Sequence, residues 1–123
     1  AVRGTIQAAK EFFPGKKILA VFQPHQRDRT LKLFDEFATA FDGAEGVILS
    51  EIYDVAGRNE AEKEISSKEL ALAIQKRNPK QNVLYARDLT ETKNIIKEKI
   101  NNFDVLLIMG AGDIDTIARD MIR

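Results

Sequence analysis

The sequence predicts an α/β fold in which helices cover both faces of a mostly parallel sheet of four strands, or slightly more. Short apolar runs, typical of strands buried on both faces, recur along the chain. Between these runs, apolar residues recur at the spacing of amphipathic helices. Because strands that alternate with helices pair in parallel through crossovers, we expect a three-layer, Rossmann-like arrangement with the strand order 3-2-1-4.

The first half of the chain predicts two helices and two strands. Pro14 and Gly15 end the first helix, because proline disfavours a helical residue before it. The stretch after the second strand, 51–65, is irregular and strongly charged. The predicted elements are a helix with its apolar face at Val2, Ile6, Ala9 and Phe13, a strand at 17–22, a helix with its apolar face at Leu31, Phe34, Ala38 and Phe41, and a strand at 46–50.

The second half predicts three helices and two strands. Ser66 with Glu69, and Asp88 with Glu91, have the spacing of capping boxes that begin a helix. The predicted elements are a helix with Leu70 and Ile74 inward, a strand at 82–86, a helix with Ile95, Ile96 and Ile100 inward, a strand at 104–109, and a last helix with Ile114, Ile117, Ala118, Met121 and Ile122 on one face.

Length and composition exclude several classes of protein. The 123 residues suffice for one domain over 1–123, and the net charge is zero, which argues against nucleic-acid or anionic-membrane partners. Cysteine is absent and His25 is the one histidine, so thiolate and multi-histidine metal sites are excluded. No apolar run approaches the ~20 residues of a membrane span. We expect a cytoplasmic, monomeric chain that binds no metal.

Two loops are expected to share the crevice at which the strand order reverses, between the first and fourth strands. The first, 23–30, contains His25, Arg27 and Arg29. The planar fork of arginine suits a carboxylate or a phosphate. A solvated loop whose arginines pair with nearby acids such as Asp28 is the alternative interpretation.

The second loop, 110–113, follows the fourth strand. Gly110 and Gly112 allow a close backbone approach, while Asp113 near the following helix start disfavours a bare phosphate. We therefore favour a close-packed turn over phosphate binding. After the second strand, Tyr53 and Arg58 can overhang the same crevice. The sequence contains neither a G-x-x-x-x-G-K-[ST] phosphate loop nor a serine-nucleophile motif, so no catalytic residue is predicted.

Three strings, in this order, resemble the C-terminal domain of the Mur ligases over essentially the whole chain. They are FQPHQRDRT at 22–30, LSEIYDVAGR at 49–58 and DVLLIMGAGDI at 104–114. The resemblance implies the last of three domains of an ATP-dependent ligase that joins L-alanine to UDP-N-acetylmuramate in peptidoglycan synthesis. It implies that ATP and Mg²⁺ are bound by the other domains and that this domain is inactive when isolated.

The resemblance also implies roles for individual residues. His25 and Arg29 match positions that help to recognise the carboxylate of the amino acid, and Arg27 is the candidate replacement for a second arginine of the family. Gln26 stands where the family usually has arginine, which leaves open another Mur-type ligase, such as a peptide-recycling one. A free-standing α/β module that binds an anion is a further alternative. The residues expected to line the cleft are Gln23, Tyr53, Arg58, Gly110, Gly112 and Asp113.

Overall fold

A computed structural model of the chain describes residues 2–24, 34–51 and 67–110. The predicted strands at 46–50 and 82–86 are confirmed, and the other two begin and end one residue later than predicted, so Gln23 and Gly110 are strand residues rather than loop residues. The elements are α1 (Val2–Phe12), β1 (Ile18–Gln23), α2 (Phe34–Ala40), β2 (Gly46–Ser50), α3 (Ser67–Arg77), β3 (Asn82–Ala86), α4 (Leu89–Lys99), a 3-10 turn (Ile100–Asn102) and β4 (Val105–Gly110).

The four strands form one parallel sheet in the order β3-β2-β1-β4, which confirms the predicted order. In the register, Phe22 pairs with Leu49 of β2 and with Met109 of β4. β1 and β2 are therefore the inner strands, and every residue of both is buried. The carboxyl ends of all four strands lie at one edge of the sheet, here called the carboxyl edge, and their starts lie at the opposite, amino edge.

Helices pack on both faces of the sheet. Ile18, Ala20 and Phe22 of β1 point into a core that also contains Ile6 of α1, Phe41 and Ile74 of α3. Alternate residues of the same strand point into a second core around Ile96 of α4. This alternation gives three layers and explains why β1 is apolar throughout, since both of its faces are covered.

The helix boundaries follow the predicted signals at α4 but differ at α1. Asp88 is the N-cap of α4, and its side chain accepts a hydrogen bond from Glu91 N at 2.8 Å, as the capping pattern predicts. The placement of Phe13 on the buried face was wrong: α1 ends at Phe12, and Phe13, which precedes Pro14, is 47% exposed. The predicted cap Ser66, the residue Leu31 and the last helix lie outside the described residues.

No described helix combines the length and the apolar character needed to cross a membrane.

Candidate functional site

The reversal of strand order brings the ends of β1 and β4 together at the carboxyl edge. Gln23, the last residue of β1, pairs directly with Gly110, the last residue of β4. Ser50 and Ala86, the last residues of β2 and β3, also pair with each other. Parallel sheets bind ligands at such a reversal, because loops leaving neighbouring strands in opposite directions open a crevice there. Two residues of the predicted site, Gln23 and Gly110, are therefore side by side, and the site itself stays a prediction.

Gly110 is required by the close approach of the two strand ends. Its φ is +135°, a region that residues with a Cβ rarely adopt. A Cβ added there would lie 2.5 Å from the backbone oxygen of Gln23 and 3.1 Å from its nitrogen. The neighbouring atoms belong to the backbone of an inner strand, so they cannot turn aside as a flexible side chain could. Gly110 thus fixes how closely β4 ends beside β1.

The side chain of Gln23 is buried at this point. Its Nε2 donates a hydrogen bond to the backbone oxygen of Glu51 at 3.3 Å. Its Oε1 is buried and has no hydrogen-bond partner among the described residues. The contact with a carbonyl oxygen sets the orientation of the amide, because the reverse orientation would oppose two acceptors. A buried acceptor left unpaired costs about 1–3 kcal/mol.

Glu51 connects three strands at the carboxyl edge. Its backbone oxygen accepts from Gln23, and its backbone nitrogen donates to Ala86 O at 2.9 Å. Its carboxylate accepts from the hydroxyl of Tyr85 at 2.6 Å and from Ser67 N at 3.3 Å. Burial, and then the hydrogen bond to Glu51, raise the pKa of Tyr85 to about 12. The phenol therefore stays protonated and holds the carboxylate in place.

Next to Glu51, three buried residues with hydroxyl groups are linked by hydrogen bonds. Ser67 Oγ donates to Ser50 O at 2.6 Å, and Thr92 Oγ1 lies 2.9 Å from Ser50 Oγ. Thr92 Oγ1 also lies 2.7 Å from Asp88 O. Ser67 and Ser50 flank residues 51–66, so these contacts hold the two stems of that segment together. All three hydroxyl residues are fully buried, so the interior of this edge is polar.

Sequence reasoning missed these supporting residues. Ser50 and Glu51 stand within a recognised string, and their polarity at the end of the apolar β2 was a signal that they support the candidate site. No comparable signal marked Tyr85, Ser67 and Thr92, because the sequence predicts each of them within a strand or a helix.

The remaining predicted site residues lie outside the described residues. Their positions in the sequence follow the strand ends: the first group begins two residues after Gln23, the second follows Glu51, and the third follows Gly110. Their approach to the crevice stays a prediction. They are His25, Arg27, Arg29, Tyr53, Arg58, Gly112 and Asp113.

The described residues offer hydrogen-bond donors and acceptors at the carboxyl edge rather than a reactive centre. Across 2–24, 34–51 and 67–110, no three histidine, cysteine or acidic side chains come together as a metal-binding group. The buried groups at the edge are amide, hydroxyl and carboxylate groups already held by hydrogen bonds, apart from the Gln23 acceptor. This arrangement can position a polar ligand in the crevice.

A cleft of about 500 Å³ lies at the opposite, amino edge. Asp42 and Arg77 form an ion pair on its wall, with Arg77 Nη2 at 2.8 Å and Nε at 3.0 Å from the carboxylate. The hydrogen bond from Arg77 lowers the pKa of Asp42. Sequence reasoning predicted no site here, and the carboxylate and the guanidinium satisfy each other. The lining residues are Asp42, Ala44, Glu45, Arg77, Asn78, Pro79, Lys80 and Gln81.

Comparison with known proteins identifies a matching family and several relatives of the chain. The family model described as "Mur ligase, glutamate ligase domain" matches residues 1–112. Three curated relatives are each named UDP-N-acetylmuramate–L-alanine ligase. That of Persephonella marina is 37% identical over 117 residues, 95% of this chain and 25% of the relative. That of Sulfurihydrogenibium sp. is 40% identical over 122 residues, 96% of this chain and 26% of the relative.

The third relative, from Caldanaerobacter subterraneus subsp. tengcongensis, is 39% identical over 122 residues, 99% of this chain and 25% of the relative. The chain thus spans about a quarter of the length of the curated relatives it matches. The match includes the strand ends that form the carboxyl edge, from Gln23 to Gly110.

Proposed function

The chain belongs to the Mur ligase family, as its glutamate ligase domain, and on this premise we propose that it is the C-terminal domain of a longer ATP-dependent ligase that joins L-alanine to UDP-N-acetylmuramate. In this proposal the domain recognises the amino acid and closes the cleft over the nucleotide. The ligase acts in the cytoplasm of a bacterium and contributes to peptidoglycan synthesis. The names of relatives matched over nearly the whole chain support this assignment.

The observation that carries the role in amino-acid recognition is the pairing of Gln23 with Gly110 at the strand reversal. The segment that begins two residues after Gln23 contains His25, Arg27 and Arg29. In the proposal, Arg29, with Arg27, binds the carboxylate of alanine through charged hydrogen bonds. His25 orients the amino acid directly or through water. The cleft is completed by Tyr53, Arg58, Gly110, Gly112 and Asp113.

The proposed reaction has two steps. The carboxylate of UDP-N-acetylmuramate attacks the terminal phosphorus of ATP, which releases ADP and forms an acyl phosphate. The neutral amine of alanine then attacks the acyl carbon. A C–N bond forms, the C–O bond to phosphate breaks with its electron pair, and phosphate leaves. The nitrogen loses one proton before the attack and one after it, both to solvent.

ATP and Mg²⁺ are assigned to the part of the ligase outside this chain. The sequence has no G-x-x-x-x-G-K-[ST] loop to hold the phosphates. The described residues bring together no carboxylate cluster that fits Mg²⁺. We therefore derive no step through the metal from this domain.

The first test is the reading frame that encodes the chain. We expect it to continue upstream of Ala1 for a few hundred residues and to contain a G-K-[ST] phosphate loop. A frame that begins at or near Ala1 would instead favour a free-standing anion-binding module. The longer protein should release phosphate from ATP when supplied with UDP-N-acetylmuramate and L-alanine. Phosphate release with a short peptide and not with alanine would indicate a peptide-recycling ligase.

The second test addresses the arginine. In the longer protein, Arg29→Ala should raise the KM for alanine roughly thirty- to hundredfold, because a charged hydrogen bond contributes about 2–3 kcal/mol. The KM for ATP should stay the same. Arg77→Ala, an exposed arginine of the amino edge, is the matched control and should change neither KM. An unchanged KM for alanine in Arg29→Ala would remove Arg29 from the proposed carboxylate site.

A further inference from the structure

Two adjacent phenylalanines at the end of α1 are exposed to solvent. Phe12 is 81% exposed and Phe13 is 47% exposed, and the centroids of their rings lie 6.1 Å apart. The buried face of α1 is complete without them, because Val2, Ile6 and Ala9 are the helix residues in the core. Packing within the fold therefore does not explain this aromatic pair, and adjoining exposed apolar groups are a feature of interaction surfaces.

A tight turn places two lysines directly after this pair. Lys16 N donates to Phe13 O at 3.1 Å, and Gly15 adopts the φ of +78° that the turn requires. The backbone of Lys17 is hydrogen-bonded to the start of β4, so the turn lies at the amino edge. Both lysines are exposed, and neither forms an ion pair within the described part of the chain. Residues 12–17 are here called the Phe–Lys turn.

Basic side chains are concentrated at the amino edge, although the net charge of the chain is zero. The helix ends and turns of this edge contain eight basic and five acidic side chains, in residues 10–17, 42–45, 76–80 and 97–104. The rest of the described chain contains four basic and six acidic side chains. The zero net charge argues against an anionic-membrane partner for the molecule as a whole, but it does not describe this edge, which is positive.

Three of the five acidic side chains at this edge are used by the fold itself. Asp42 accepts hydrogen bonds from Arg77, while Glu45 and Asp104 accept from backbone N–H groups at the start of β1. Basic residues in the last turn of a helix offset its dipole, but that effect is confined to the last turn. The lysines of the Phe–Lys turn lie beyond the end of α1, so the dipole does not account for them.

We propose that the Phe–Lys turn docks the protein on an anionic phospholipid surface. Phe12 and Phe13 insert at the boundary between headgroups and acyl chains, and Lys16 and Lys17 stay at the level of the phosphate groups, which attract them. The carboxyl edge is on the opposite side of the sheet, so docking leaves the strand reversal open to solution. This inference goes beyond the proposed function and does not depend on it.

A lipid surface fits the Phe–Lys turn better than a second copy of the chain or a protein partner does. In a symmetric pair of chains the lysines of one turn would face those of the other, and like charges repel. The cores of protein interfaces are enriched in arginine and depleted of lysine. Arg77, the one arginine of the amino-edge residues, is already paired with Asp42, and the cations beside the phenylalanines are lysines.

Co-sedimentation of the whole protein, as its reading frame encodes it, with lipid vesicles tests the proposal. The partition coefficient should be at least about tenfold higher for vesicles of phosphatidylglycerol and phosphatidylcholine in equal parts than for phosphatidylcholine alone. At about 1 M salt this difference should disappear, because charges are then screened over a few ångströms. Equal partitioning into both kinds of vesicle, or no binding at low salt, would overturn the inference.

Phe12→Ser tests the apolar part of the contact. It should lower the partition coefficient for the anionic vesicles about tenfold, the effect of keeping one phenylalanine out of the lipid. Leu72→Ser is the matched control, because Leu72 lies on α3 and is 65% exposed. It should leave partitioning unchanged. An equal loss in both variants would contradict the proposal, since any exposed apolar side chain would then have the same effect.

Lys16→Gln combined with Lys17→Gln tests the charged part. Partitioning into anionic vesicles should fall roughly thirtyfold, about fivefold for each lysine. Lys68→Gln with Arg87→Gln removes the same charge from the carboxyl edge and should change it less than about twofold. Equal losses in the two double variants would show a response to net charge alone and would overturn the inference.

Two further measurements separate the lipid from other occupants. Soluble polyglutamate stands in for an acidic protein: if it binds as tightly as the anionic vesicles, and Phe12→Ser binds both like the unaltered protein, the lipid proposal is wrong. If sedimentation equilibrium shows a dimer that Phe12→Ser dissociates, the turn is an interface between copies and the proposal is again wrong. All exchanged side chains are exposed, so the variants should keep the urea midpoint of the unaltered protein within the error of the measurement.

Discussion

At the amino edge of the sheet, short turns and side chains satisfy the strand starts, whereas at the carboxyl edge hydrogen bonds among Gln23, Glu51 and Tyr85 connect the strand ends. Asp104 accepts from Lys17 N at 2.8 Å, and Glu45 accepts from Ile18 N at 2.7 Å. Gln81 joins two turns at the same edge. These acceptors and donors are used by the fold, so this edge serves stability.

The carboxyl edge differs in what its polar groups serve. Glu51, Ser67 and Thr92 hold strand ends and loop stems in place, and Gln23 keeps an acceptor that the described residues do not use. Both edges contain a buried glutamine, yet only the one at the strand reversal lacks a full structural role. Both glutamines leave Oε1 unpaired among the described residues, so the two edges differ in the amide nitrogen: Gln81 Nε2 donates two hydrogen bonds and Gln23 Nε2 donates one.

The largest effect is expected at Gly110. Gly110→Ala places a Cβ 2.5 Å from Gln23 O at a φ of +135°. The strained backbone and the overpacking each cost about 1–3 kcal/mol, so we expect a loss of about 2–6 kcal/mol in urea unfolding. Gln23→Ala should not rescue it, because the clash is with the backbone. Rescue by that second change would contradict the geometry. Gly4→Ala, with open space around it in α1, is the control and should not destabilise.

The amino edge has a tight glycine of a different kind, and it should behave differently. A Cβ on Gly46 would lie 2.5 Å from Cζ of the Phe103 ring and 3.0 Å from a methyl group of Leu19. Gly46→Ala should cost about 1–3 kcal/mol. Because the obstacle is a side chain, Phe103→Leu should recover part of the loss in a double-mutant cycle. If the double-mutant cycle shows no coupling energy, a smaller side chain at 103 does not relieve the clash. Gly46 would then tolerate a Cβ no better than Gly110 does.

Tyr85 gives the carboxyl edge a dependence on alkaline pH. The pKa of its phenol is raised to about 12, so the protonated form stabilises the fold below the ordinary tyrosine pKa of about 10, and this contribution is lost as pH rises through about 12. Tyr85→Phe should cost about 1 kcal/mol at neutral pH and show less loss of stability between pH 10 and 12. Urea midpoints across this range measure it.

Ultraviolet titration is the second readout for Tyr85. The chain has two tyrosines and no tryptophan, so Tyr85→Phe leaves Tyr53 as the one remaining phenol. The high-pH step in phenolate absorbance should disappear in that variant. Its persistence would assign the step to Tyr53 instead.

The smallest effect is expected at the exposed ion pair of the amino edge. Arg77 lowers the pKa of Asp42, so the pair stabilises the fold above the ordinary aspartate pKa of about 4, and the contribution is lost as pH falls through the lowered value. Asp42→Asn should change the urea midpoint less than Tyr85→Phe, because both members are more than a third exposed. The difference from the unaltered chain should vanish in acid. A constant difference at all pH values would exclude a charge effect.

Much of the fold was predictable because its signals are local. The apolar runs gave two strands without error and two shifted by one residue, and the alternation of strands with helices gave the parallel order 3-2-1-4. Phe13 was misplaced because its spacing continues the stripe of α1, although Pro14 ends the helix before it. The register followed neither from spacing nor from composition.

The sequence predicted which strand ends meet, but not the contacts around them. Gln23 and Gly110 were expected at the crevice from strand order alone, and the structure pairs them. The roles of Tyr85 and Thr92 were not predicted, since a phenol or hydroxyl inside a strand or helix has no partner that the sequence can name. The residues His25, Arg27 and Arg29 remain predictions.

The sequence by itself determined the described strands and helices and their order, because periodicity, turn residues and crossover handedness act over short stretches of chain; the ligand site at the carboxyl edge stays a prediction. Only the tertiary structure decided which distant groups meet, such as Tyr85 with Glu51 and Gly110 with Gln23. These contacts depend on the register of β1 with β4 and of β2 with β3. A hydrogen bond or a steric contact changes within a fraction of an ångström, and such distances are set by the packing of the whole sheet.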